Sequence, residues 1–152
     1  MKLLTKPYCS TQQSLMAAFM VVAFAPLTAS ATALDDCYKR TQWSYSTGGK
    51  TQEKAWNLLL DGKKKSKTFD ADGSLAKENG IVKRDLNAAK AAIGPAVNAV
   101  GDPVVKNRAE YDALDQKKAA ACKTVEEGKL AAAATLANTN YSKVKMAFDA
   151  IK

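Results

Sequence analysis

The chain has 152 residues, 47% hydrophobic but only 7% aromatic, and 23 Lys and Arg against 15 Asp and Glu give it a formal charge of +8 with no His at all. A chain of this length, less any leader, has room for one domain. The missing imidazole removes the commonest general base, the usual zinc ligand and every Ser–His or Cys–His nucleophile pair, so no catalytic or metal-binding residues are assigned, no cofactor is expected, and the chain reads as a non-enzyme.

Residues 1–33 read as a cleaved secretory signal peptide. Lys2 and Lys6 are the only charges ahead of Asp35, an uncharged run rich in Leu, Met, Val, Phe and Ala follows from Leu15, and small residues stand at Ala29-Ser30-Ala31 and Ala31-Thr32-Ala33. The apolar run is shorter than the ~20 residues of a spanning helix. Cleavage is placed after Ala33, with Ala31 as second choice, leaving 34–152 as a single domain of the periplasm or the extracellular medium. Once Cys9 departs with the leader, Cys37 and Cys122 are the two cysteines left. In an oxidising compartment a pair with one possible connectivity predicts a Cys37–Cys122 disulfide.

Apolar residues recur at helical spacing and β-type alternation is scarce, which predicts an all-α fold, a small four- to five-helix bundle stapled by one disulfide. The first helix is expected from Asp35 to about Tyr45. Gly48-Gly49 is taken as its end, and Thr51 as the N-cap of a second helix running from Glu53 to about Gly62 with Trp56, Leu59 and Leu60. The next seam runs through Leu75, Val82, Leu86, Ala89, Ile93, Ala96 and Val100, with Asn79 at its one polar station. Pro95 falls inside it and cannot donate to the carbonyl of Ala91, so the helix is expected to end near Ile93 and to be followed by a short helical turn. Asp102 followed by Pro103 has the form of an N-cap and first helical position, opening a helix that carries Val104, Tyr111, Leu114, Ala121 and Cys122 inward as far as Lys123. Thr124 and Glu127 have capping-box spacing. They are expected to start the last helix, whose seam is Leu130, Ala134, Ala137, Tyr141, Val144, Phe148 and Ile151.

Three stretches carry candidate chemistry. STGGKT, residues 46–51, ends as a phosphate-binding loop ends, but Ser44 stands where that loop needs its first Gly and no strand precedes it, so a helix stop explains it better. FDADGSL, residues 69–75, has part of the carboxylate spacing of a calcium loop. Aligning Gly73 with the loop's invariant Gly puts Thr68 and Asn79 where ligands are needed, which leaves a turn with Ser74 as the next N-cap. Lys63, Lys64, Lys65 and Lys67 form the densest charge cluster, and in an exported chain they would address anionic lipid or polysaccharide, not nucleic acid. Trp43 and Tyr45 add aromatic area nearby, though Trp in a small bundle is more often packed inside. The function these features predict is that of an exported, non-catalytic protein of the cell envelope that binds an envelope or extracellular protein, as an inhibitor, immunity protein or accessory factor. The alternative is a cationic protein that binds membranes or other anionic surfaces.

Overall fold

The computed structural model describes residues 31–152; most of the assigned leader, Cys9 included, lies outside the described residues. Within them the chain is helical and has no strand. It forms α1 (Ala33–Lys65), α2 (Ser74–Asn98), α3 (Arg108–Val125), a five-residue π-helical turn (Glu126–Leu130) and α4 (Ala131–Asp149). The backbone stays in the right-handed helical region through both junctions of the π turn. The last three segments are therefore one rod, and the molecule is a three-helix bundle, not one of four or five helices. α1 packs against every other segment, most extensively against α4.

Where the helix boundaries differ from the expected ones, each difference has a physical cause. Gly48-Gly49 does not stop α1. Gly48 is buried, and a Cβ there would stand 2.8 Å from Leu86 Cδ2 and 3.7 Å from Ala134 Cα, so the glycine is a notch that lets α1 approach α2 and α4 closely. Thr51 then lies mid-helix, its hydroxyl donating to the Thr47 carbonyl at 3.1 Å. α2 continues past Pro95 to Asn98. Pro95 and Ala91 both face solvent while Ile93 and Val97 are buried, so the missing hydrogen bond falls on the wet side and the apolar side holds the helix together. Gly101, with φ of 81°, ends the turn that follows.

Asp102 and Pro103 do not start a helix. Val104 would have led the new helix inward, yet it is 88% exposed, and Asp102 instead pairs with Lys118. The start lies at Asn107, whose Oδ1 accepts from Glu110 N at 2.9 Å while Glu110 Oε2 accepts from Lys106 N at 2.7 Å. This Asn-x-x-Glu is a capping arrangement that the sequence itself spells, five residues after Asp102. Thr124 does not open a helix either. Its hydroxyl donates back to the Ala120 carbonyl at 3.0 Å, and the rod runs on. Ser74 is the first helical residue of α2 and not its N-cap, a position that Gly73 holds with φ of 68°; the first amides are satisfied from upstream, where Asp70 accepts from Leu75 N and Ala76 N at 2.9 and 3.1 Å.

The core has three successive clusters along the bundle. At one end Cys37, Ile93, Val97, Cys122 and Val125 pack with Leu34, and the Cys37–Cys122 disulfide closes that end with both cysteines fully buried. The middle holds Val82, Leu86, Ala89, Leu130, Ala133 and Ala137. At the far end Ala55, Leu59, Phe69 and Val144 pack with Leu75, Phe148 and Ile151. The small side chains of the middle cluster suit close helix approach, which fits the notch at Gly48.

Candidate functional site

The Lys63–Lys67 run is less of a patch than its spelling suggests. Lys63, Lys64 and Lys65 form the last turn of α1, where cations complement the negative end of the helix dipole, and successive helical residues point ~100° apart. Lys64 pairs with Asp61 at 3.2 Å. Lys65 places its ammonium 4.3 Å from the centre of the Phe148 ring. All four lysines are exposed, and Lys64 and Lys65 make their local contacts at the surface, so the cluster is spread around the end of α1 and not gathered on one side.

A second basic surface lies further back on α1. Residues 39, 43, 50 and 54 share one face by helical periodicity; they are Lys39, Trp43, Lys50 and Lys54, all exposed, with Lys39 paired to Asp36 one turn back at 3.8 Å. Trp43 is 71% exposed, the most of any aromatic side chain that stands out on the surface. Its sequence gave no sign of this, because an isolated Trp between Gln42 and Ser44 has the same spelling in a core as on a surface.

On the flank of α1, Gln52 and Trp56 face Asn79, Gly80 and Lys83 of α2 across a cleft of about 490 Å³. Asn79 is 1% exposed, and neither its Oδ1 nor its Nδ2 has a hydrogen-bond partner. Asn140 of α4 is equally buried; its Nδ2 reaches the Leu75 carbonyl, one turn before Asn79, at 3.5 Å, and its Oδ1 has no partner. Buried Thr41 satisfies its hydroxyl on the Tyr38 carbonyl at 2.8 Å, but these two amides leave polar atoms unpaired inside, which is costly because an unpaired buried polar group forfeits about 1–3 kcal/mol. Asn79→Leu should therefore raise stability by about 1 kcal/mol in thermal or denaturant unfolding. A loss of stability would show that the amide has a partner in solution. A larger groove of about 610 Å³ between α2 and the rod is floored by Ala88, Ala89, Ala132, Ala133 and Leu136, with Asp85 and Lys129 as its charged lining residues.

The stretches that spelled ligand loops are occupied structurally. Residues 46–51 are continuous helix, which offers no free amide cradle for phosphate. In 69–75, Asp70 is turned to the first amides of α2, and Asp72 accepts from Ser74 N at 3.0 Å; that backbone bond holds the Asp72 carboxyl below its ordinary pKa. Among the described residues no three His, Cys, Asp or Glu side chains gather as a metal site. No described helix is long and apolar enough to cross a membrane. Compared with known proteins, the chain matches no family model, no curated protein and no solved structure.

Proposed function

We propose that the protein is an exported, non-catalytic binding protein of the cell envelope that engages a protein partner through the outer face of α1, in an inhibitory, immunity or accessory role. The observation that carries this reading is Trp43, held 71% exposed on a rigid helix beside Lys39, Lys50 and Lys54. An exposed indole costs solubility and adds nothing to this core, whereas Trp is among the residues that dominate binding energy at protein interfaces. The surrounding lysines favour an acidic partner and would steer its approach. The alternative, attachment to anionic lipid or polysaccharide through Lys63, Lys64, Lys65 and Lys67, needs those charges on one side, and their spread around the end of α1 speaks against it.

Capture from envelope extract with the oxidised mature protein tests the reading. Trp43→Ala, at an exposed position where the fold is not at stake, should weaken retention of the captured protein by about tenfold or more. Equal retention would remove this face from the interface. Co-sedimentation with anionic vesicles near ~0.15 M salt, where exposed charges are screened beyond ~8 Å, should show little binding. Strong binding lost on changing the four lysines to Gln would favour the lipid reading.

A further inference from the structure

We infer that the leader is removed between Ala31 and Thr32, so that the mature chain begins at Thr32. This rests on the export reading and selects one of two small-residue sites that sequence alone leaves competing. The folded domain uses both residues that cleavage after Ala33 would discard. Thr32 is the N-cap of α1, with its Oγ1 accepting from Asp35 N at 3.2 Å and its own N–H directed at Asp35 Oδ2 at 3.4 Å, a reciprocal capping box. Ala33 is the first helical residue, and its N–H donates to Asp115 Oδ2 of α3 at 2.8 Å. That bond ties the start of α1 to the rod, beside the cluster that the disulfide closes.

The charge made by processing separates the two sites further. Hydrolysis adds water across one peptide bond, leaving a carboxylate on the released leader and an ammonium on the first mature residue. After Ala31 that ammonium falls on Thr32, outside the helix and within reach of the Asp35 carboxylate. After Ala33 it falls on Leu34, inside the first turn, where the helix dipole is positive and opposes it. Leu34 also packs against the apolar cluster of Cys37, Ile93, Val97, Cys122 and Val125, which a new charge would disturb. Ala29-Ser30-Ala31 supplies the small residues that a leader-removing peptidase needs ahead of the scissile bond.

Intact-mass and N-terminal analysis of the protein purified from its own envelope or culture medium decides the matter. The expected chain begins at Thr32 and carries one threonine and one alanine more than the product of the other site. A chain beginning at Leu34, or one that keeps residues 1–31 in full, would overturn the inference while leaving export intact, whereas recovery from the cytosol alone would overturn export as well. A second measurement needs no export: chains 32–152 and 34–152, refolded and oxidised side by side, should differ in melting temperature by about 5 °C in favour of the longer, the scale set by losing an N-cap from a domain of this size. Identical melting would remove the physical basis for preferring Ala31.

Discussion

Replacing Cys37 and Cys122 together by Ala lowers the stability of the chain by about 4 kcal/mol and its melting temperature by more than ~10 °C. The cysteines are 85 residues apart, and a bridge across so long a loop removes much of the freedom of the unfolded chain; the chain-entropy model gives roughly 4.5 kcal/mol. Native packing adds to this. Both sulfurs are fully buried among Ile93, Val97 and Val125, so the alanines also leave a small void at that end of the bundle. The bridge joins the first turns of α1 to the rod, and its loss lets that end open while the other two clusters remain packed. Denaturant unfolding of the oxidised protein, the reduced protein and the double variant checks this. The reduced protein should fall well below the oxidised one and the variant somewhat lower still, because only the variant carries the void, and equal midpoints for all three would show that the helix contacts alone fix this end.

The sequence pattern showed the class of the fold and the cysteine pairing because both depend on features that few alternatives share: helical periodicity over long stretches, and two cysteines with one possible partner each. The number of helices was harder to read, because it turned on residues whose spelling is ambiguous between a stop and a close approach. Gly48 is the clearest case. A glycine that ends a helix and a glycine that makes room for Leu86 are the same letter, and only the partner helix distinguishes them. Pro95 is ambiguous for a related reason: its cost is local, while the burial of Ile93 and Val97 that outweighs it comes from the neighbouring helices. The π turn at Glu126–Leu130 left no trace in the pattern, since one extra residue in a rod shifts the apolar face without breaking it.

The candidate interface was less legible still. The lysine run is conspicuous in composition, although its charges divide around a helix end, whereas Trp43 has the spelling of a packed residue. Exposure is a property of the whole assembly of helices. No local spacing around Trp43 could report it, because its neighbours Lys39 and Lys50 are equally at home at the edge of a buried seam.

Gly62→Ala destabilises the protein by about 2 kcal/mol, although alanine is the better helix former. In a helix the exchange alone gains up to about 1 kcal/mol. At this position, however, α1 ends at Lys65 and the chain doubles back so that Phe69 lies over Gly62. A Cβ there would stand 2.3 Å from Phe69 Cε1 and 2.4 Å from Cδ1. The ring has little freedom to withdraw. It is buried with Leu59 and Val144 and meets the Phe148 ring edge-on, with centroids 6.5 Å apart, so relief means surrendering those contacts, and overpacking of this kind costs about 1–3 kcal/mol. The two residues are therefore coupled, and the sign of the effect depends on Phe69. Phe69→Ala alone should cost about 3 kcal/mol, the usual scale for emptying a buried aromatic site. With the ring gone, Gly62→Ala meets no obstacle and should stabilise by about 0.5–1 kcal/mol through helix propensity alone. Denaturant unfolding of the wild type, the two single variants and the double variant closes the cycle. A reversal of sign supports the packing of Phe69 on Gly62, whereas the same shift from Gly62→Ala in both backgrounds would show that the segment after α1 does not fold back onto this glycine.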